Sequence, residues 1–376
     1  MDGARRSDWR IGFWIGALVL TALVLRALSG VLLPFIAGLV IGYLLNPVAS
    51  RLERAGLNRL GATLLILGLF LLAIGLFAVL VVPLLGHQFA GFVASVPDYA
   101  ARLQKLVAEQ SAILAQKYGG GLLGKLGLGA GADGGLQQWL GDLAGQGVKS
   151  LVGIAQSLLS GGAALVGLFS LIVITPVVAF YILLDWDKLV ASLDSLIPLA
   201  HRAAVHGLAR EIDAALAGFL RGQSLVCLFL GLWYGVGLSL VGLNFGFLIG
   251  ISAGFLTFIP FVGSLTALAV GASVALVQAW PDWTLFALVF AVVGSGQLLE
   301  GNFLTPRLVG ASIGLHPVWL IFALLAFGSL MGFTGLLIAV PVAAAIGVLT
   351  RFAARQYWQS QLYRGIAALP AGEAGE

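Results

Sequence analysis

Apolar positions in this chain do not alternate with polar ones. They run together in blocks of helix length, separated by charged islands. The first block covers residues 11–28 and the second 31–48, which predicts a helical hairpin. The basic start (Arg5, Arg6, Arg10) resembles a signal peptide. Arg26 and the immediate return of apolar sequence at Val31 favour the hairpin. A charged loop, 49–61, precedes a third block at 62–85. Residues 86–150 are water-facing in composition, with Val93, Val96, Ala100, Leu103, Val107 and Leu114 at amphipathic spacing. Their second half, Gly119 to Gly147, reads as a Gly-rich loop.

Residues 151–184 are apolar throughout. At about 1.5 Å per residue they span about 51 Å, against about 30 Å of hydrocarbon. The stretch is expected to begin outside the membrane or to bend at Thr175-Pro176. A second island, 185–221, carries Leu189, Leu193, Leu208, Ile212, Ala215 and Phe219 and reads as amphipathic surface helices. Apolar runs follow at 223–243, 245–259, 262–279, 283–299, 316–331 and 333–350. The pair in 245–279 is broken at Ile259-Pro260-Phe261-Val262-Gly263, the pair in 316–350 by Gly328, Gly332 and Gly335. Arms of about 22–27 Å are short for a crossing, so both pairs are expected to be re-entrant hairpins.

Composition narrows the class. Of 376 residues, 60% are hydrophobic and 10% charged, against about 25% charged in a soluble domain. Disorder, collagen and a soluble globule are excluded, and the continuous apolar runs disfavour a β-barrel. The fold class is an all-α polytopic membrane protein with about eight transmembrane elements, two re-entrant hairpins among them, plus amphipathic surface helices. No Asp, Glu, Lys or Arg occurs from Leu60 to Pro97 or from Ser150 to Leu184, and only Asp282, Glu300 and Arg307 from Gly222 to Thr350. Most of the 20 basic residues fall in 1–10, 49–61, 185–221, at Arg307 and after Thr350. The positive-inside rule then places both termini in the cytoplasm. The net charge of +4 suggests basic loops at an anionic membrane face rather than nucleic acid.

Several motifs are decoys. Gly129 to Gly134 matches G-x-G-x-x-G without a βαβ unit, and Gly119 to Lys125 matches a phosphate loop but for Leu126. The four histidines are scattered and Cys227 is alone, so no metal site, cofactor or catalytic constellation is expected and the chain does not read as an enzyme.

Longer motifs carry a resemblance. Ile174-Thr-Pro-Val-Val-Ala-Phe-Tyr-Ile-Leu-Leu-Asp-Trp-Asp187, Phe219-Leu-Arg-Gly-Gln223 and Phe258-Ile-Pro-Phe-Val-Gly263 resemble the autoinducer-2 exporter family. So do Gln297-Leu-Leu-Glu-Gly-Asn-Phe-Leu-Thr-Pro306, Val309-Gly-Ala-Ser-Ile-Gly-Leu-His-Pro317 and Gly335-Leu-Leu-Ile-Ala-Val-Pro341. The resemblance implies a bacterial inner-membrane transporter, exporting a quorum-sensing signal or acting as a sodium or lithium/proton antiporter. Its partners would be the bilayer, a small polar solute or monovalent cation, and further copies of itself, with Na+ or H+ as coupling ion.

Polar groups in apolar helices are costly and tend to be functional. The main candidate pathway cluster is Gln297, Glu300, Asn302, Thr305 and Arg307, with a solvated loop as the structural alternative. A second is the break at Thr257, Pro260, Gly263 and Ser264, where proline frees a carbonyl that a solute or ion can use. Asp185 and Asp187, with Arg221 and Gln223 as partners, are coupling or gating candidates, or simply mark the end of a span. Gly246, Gly250 and Gly254 form a small-residue face for static packing or for sliding, and Gly328, Gly332 and Gly335 serve the second hairpin. The expected organisation is a scaffold at 1–85, an extracytoplasmic segment at 86–150, a span at 151–184 and cytoplasmic helices at 185–222. A transport core at 223–350 and a cytoplasmic tail at 351–376 follow. Elevator-like alternating access is one mechanism this arrangement allows.

Overall fold

A computed structural model describes residues 2–118, 162–309, 315–360 and 363. The Gly-rich decoy motifs and the predicted loop at 119–147 lie outside the described residues. The described chain is helical: α1 (Asp2–Arg54), α2 (Arg59–Tyr118), α3 (Gly162–Ser195), a short 3-10 turn (Leu199–His201) and α4 (Arg202–Leu240). Next come α5 (Gly246–Leu256), α6 (Val262–Ala279), α7 (Thr284–Leu299), a π-helical continuation (Glu300–Val309) and α8 (Pro317–Gln359). Among the described residues, seven helical segments are long and apolar enough to cross a membrane, and α5 is a shorter apolar helix. Leu72, Val79 and Leu80 of α2 are exposed at 67%, 72% and 65%. Such a surface would be unstable in water, and lipid is the solvent that suits it.

The predicted hairpin of 11–28 and 31–48 is replaced by a single helix of 53 residues. Turning a helix back needs a residue in the left-handed region or a lost ladder of hydrogen bonds. Among the described residues the positive-φ glycines are Gly56, Gly242 and Gly332, and α1 continues as helix through residues 29 and 30. The predicted amphipathic islands are helical where they are described. Residues 86–118 continue α2, and residues 202–222 continue without a break into the apolar half of α4. The loop at 49–61 contracts to four residues. Gly56 takes φ 105°, Leu57 donates back to the Leu52 carbonyl, and the Asn58 side chain caps the start of α2 by accepting from Gly61 N–H at 2.8 Å.

Both predicted breaks are present. Pro260 lies in the turn from α5 to α6, where Phe261 takes φ 68°. In α8 the helical path is interrupted at Gly332, with φ 59° and ψ −136°. The chain reverses there, because a Cβ on Gly335 would strike the Phe327 carbonyl and one on Gly328 would lie 2.9 Å from Leu336. Thus α8 is itself a helical hairpin with arms 317–331 and 333–359.

The chain forms two compact units: Met1–Ile66 with Ile174–Gln223 and Thr305–Glu376, and Leu67–Val173 with Ser224–Leu304. In the first, α1 packs against α8 and against the second half of α3. A Cβ on Gly38 would sit 2.7 Å from the Thr175 carbonyl oxygen, and the buried Thr175 hydroxyl donates to the Pro34 carbonyl at 3.2 Å. Arg59 ties three helices together. It donates to the Leu183 carbonyl at 2.8 Å, to Glu53 at 2.7 Å and to Asn46 at 2.6 Å. In the second unit, α6 packs on both α5 and α7.

Candidate functional site

The second unit is organised by the apolar half of α4. Gly231 and Gly235 on this helix face Gly254 and Gly250 on α5, with backbone against backbone. A Cβ on Gly246 would meet the Leu238 carbonyl in the same way. The predicted small-residue face of α5 is therefore met by a second one on α4. Its period of four places the residues on one side of each helix and removes the side chains that would hold the axes apart.

The opposite side of α4 meets α7. Tyr234 is fully buried, and its ring occupies the space a side chain on Gly296 would need. Trp233 donates its indole N–H to the Val292 carbonyl and to Ser295 Oγ, both at 3.3 Å. These contacts hold the end of α7 where Gln297 reaches two groups. Its side-chain amide donates to the Tyr234 hydroxyl at 3.3 Å and to a Glu300 carboxylate oxygen at 2.7 Å. Gln297 is exposed and Glu300 half-buried, so the pair is anchored in the helices yet reachable from outside them. Cys227, two turns before Tyr234, stands near enough to feel the charge of Glu300.

The helix widens to π geometry at Glu300 and continues to Val309 with Pro306 inside. Widening leaves carbonyls with altered partners, and such bulges are frequent at functional sites. Asn302 answers one of them, donating its amide to the Leu298 carbonyl at 2.9 Å. The same segment carries Thr305 and Arg307, both exposed. The structure thus joins Gln297 to Glu300 directly and turns Asn302 onto its own backbone.

The turn at Pro260 forms a separate local group. Thr257 is buried and donates to the Ala253 carbonyl at 2.9 Å, and a Cβ on Gly263 would strike the Thr257 hydroxyl. Ser264 donates to the Phe261 carbonyl at 3.3 Å.

Asp185 accepts from Lys188 at 2.7 Å, and the exposed Asp187 lies 3.9 Å from Arg59. Between the two acids, the Trp186 ring lies 5.8 Å from that of Tyr43, whose hydroxyl donates to Asp213 at 2.6 Å and which feels the charge of Arg221. Gln223 is buried in α4. Next to it, Gly222 lets the Leu308 carbonyl and Val309 backbone of the π segment come into contact with α4. The glycine of the Phe219-Leu-Arg-Gly-Gln223 motif is therefore a point of backbone contact.

Sequence reasoning missed Tyr234, Arg59 and the Tyr43–Asp213 pair. A lone tyrosine or arginine has no spacing signal, because its partners lie on other helices. Among the described residues, no group of three or more His, Cys, Asp or Glu side chains could hold a metal ion.

Apolar spanning helices, two helix–break–helix units and polar side chains set among them define a multi-pass membrane protein of the transporter class. The sequence profile of the AI-2E family transporters matches residues 15–355, and the chain belongs to that family. Relatives named as transport proteins or permeases are similar over most of their length. YueF of Bacillus subtilis (strain 168) is 28% identical over 85% of this chain and 83% of its own. YrrI of the same organism is 29% identical over 85% of each chain. PerM of Escherichia coli (strain K12) is 28% identical over 85% of this chain and 86% of its own.

Proposed function

We propose that this transporter moves a small polar solute or a monovalent cation by alternating access, with Glu300 carrying the coupling ion, Na+ or H+. The observation that carries this reading is the Gln297 amide, which bridges the Glu300 carboxylate and the buried Tyr234 phenol in otherwise apolar helices. A carboxylate in a membrane helix is expensive unless it serves a pathway. Loss or gain of a proton or cation at Glu300 alters the Gln297 bond, and Tyr234 passes that change to the packing of α4 on α7.

The hairpins supply the moving parts. The α5–α6 turn and the α8 turn are read as re-entrant, each lined by its own freed backbone groups. Glycine-to-glycine packing of α5 on α4 offers a surface without side-chain knobs, along which α5 can slide. Thr257, Pro260, Gly263 and Ser264 then gate one end, and Asn302, Thr305 and Arg307 line the π segment. We assign a small polar quorum-sensing signal of the autoinducer-2 type as one candidate solute, on the family resemblance. The turn at 55–58, flanked by Arg51, Arg54 and Arg59, and the tail after Thr350 are assigned to the cytoplasmic face of a bacterial inner membrane.

The test is flux into proteoliposomes, comparing Na+/H+ exchange with autoinducer-2 movement. Saturable flux that depends on an ion gradient and is lost in Glu300→Gln supports the proposal. Unsaturable, uncoupled flux would make the protein a pore, and an effect of Glu300→Gln on assembly alone would make it a scaffold.

A further inference from the structure

We propose that the stretch Gln88–Tyr99 of α2 is a latch on the start of the α5–α6 hairpin, and that its release frees α5 to move along α4. The inference rests on the reading of α5 as a moving element and adds what holds that element in place.

The helix α5 is built as a separable piece. It has 11 residues, or about 16 Å at 1.5 Å per residue. Among the described residues, two that are not glycine take positive φ. One is Phe245, directly ahead of α5, and the other is Phe261, directly ahead of α6. A phenylalanine in the left-handed region is strained and persists only where its neighbours hold it. Strain therefore brackets one short helix, whose face toward α4 is glycine against glycine. Such a helix can shift as a unit by changing the backbone at two residues.

The end at Phe245 is held from outside the hairpin. Phe245 gives α5 no side-chain cap. Gln88 supplies one from α2, 160 residues away in sequence: the Leu248 amide, in the first turn of α5, donates to Gln88 Oε1 at 2.9 Å. The Phe92 ring meets the Phe245 ring edge to face, with 5.5 Å between centroids. Beside it Gly91 leaves room for that ring, since a Cβ there would stand 3.1 Å from it. Asn244 donates its side-chain amide to the Tyr99 hydroxyl at 3.3 Å. Gln88, Phe92 and Tyr99 are spaced by four and seven residues, so they share one face of α2.

A different group keeps the connection itself formed. Gln278 of α6 accepts from the Asn244 backbone N–H and donates to the Gly242 carbonyl, both at 2.8 Å. That tie lies inside the hairpin and travels with it. The contacts from α2 are two single hydrogen bonds and one ring pair, at half-buried or exposed positions. Local opening breaks contacts of this kind without unfolding the helices. On release, Phe245 loses the neighbours that keep it left-handed, and relaxation of its backbone favours the open state.

The experiment uses the full chain in a Cys227→Ala background. Spin labels at Ala94→Cys on α2 and Ser252→Cys on α5, both at exposed positions, report the separation of the two helices by EPR. A longer separation is expected as a minor population, rising about two- to tenfold in Gln88→Leu, as the loss of one hydrogen bond allows. Tyr99→Phe, which loses the other bond, is expected to act in the same direction and serves if Gln88→Leu does not fold. Gln88→Glu keeps an acceptor for the Leu248 amide and suits the positive end of α5, so it is expected to leave the populations unchanged. A separation that no variant alters would overturn the latch. Tyr99→Cys with Asn244→Cys, joined by a short cleavable thiol reagent, is expected to stop flux in proteoliposomes until the join is cut. Undiminished flux in the joined protein would also overturn the proposal. Because the separation is read without flux, a shift in Gln88→Leu supports the latch even if flux proves independent of Glu300, a result that would overturn the transport reading instead.

Discussion

Gly250 lies against Gly235 so closely that the backbone of one fills the place where the other would carry a side chain. The two helices therefore have no room for a methyl group at this crossing. Gly250→Ala is expected to cost about 1–3 kcal/mol through overpacking. Thermal unfolding in detergent should show a lower midpoint. Gly68→Ala on α2, where nothing lies within 4 Å, is the control. It should be neutral or slightly stabilising, since alanine suits a helix better than glycine by roughly 0.5–1 kcal/mol.

Tyr234→Phe keeps the buried ring and removes the hydroxyl that Gln297 reaches. The lost hydrogen bond is worth about 0.5–1.5 kcal/mol, so the protein should remain folded. Transport should fall less than in Glu300→Gln, which removes the charge outright. Paired flux and unfolding measurements separate the two effects. Equal flux in Tyr234→Phe and wild type would remove Tyr234 from the pathway.

Arg59 is 15% exposed on its side chain and serves partners on α1 and α3. A lysine carries the charge but not the fork, and cannot reach the Leu183 carbonyl, Glu53 and Asn46 together. Arg59→Lys should cost about 1.5–3 kcal/mol, the range for hydrogen bonds to a charged group. A melting curve for Arg59→Lys that matched wild type would show that the node contributes nothing to stability.

Gly332 combines φ 59° with ψ −136°, a region that only glycine visits readily. Gly332→Ala should add strain of about 1–3 kcal/mol at the tip of the α8 hairpin. The yield of folded protein on size exclusion should drop. Gly294→Ala, in open surroundings on α7, should not lower it.

Asp282 lies just ahead of α7, outside the apolar spans. The Thr284 hydroxyl and then the Thr284 amide donate to its carboxylate and hold its pKa below the usual aspartate range. A depressed carboxylate favours the folded state at pH above its unfolded value, and that help fades as pH falls through the folded value. Thr284→Val removes the larger contribution and should raise the Asp282 pKa toward the ordinary one. An NMR titration of the labelled carboxyl would read the shift directly.

Much of the membrane architecture is legible in sequence. Leu60 to Pro97 carries no charge, and only a helix satisfies its own backbone in lipid over such a length. Pro260 and the glycines around 332 mark the two breaks, because local chemistry alone decides where a helix can continue. The hairpin expected at residues 29–30 fails for the same kind of reason: Gly30 permits a turn but nothing there requires one, and α1 runs on. Of the pathway residues, Gln297 and Glu300 were visible as polar groups in an apolar run, three residues apart on one face.

Partners across helices were not visible. The sequence shows a glycine face on α5 but not that Gly231 and Gly235 of α4 meet it. It shows Gly222 in a motif but not the Leu308 carbonyl resting on it. Tyr234, Arg59 and Gln88 acquire meaning only from neighbours distant in the chain. By itself, then, the sequence determined the class and the breaks at Pro260 and Gly332 but not the continuity of α1, since hydropathy and local backbone preference show where a helix can stop, not where it must. Which helices touch, and therefore which polar groups share a site, was decided by tertiary packing, which brings together side chains that no spacing along the chain relates.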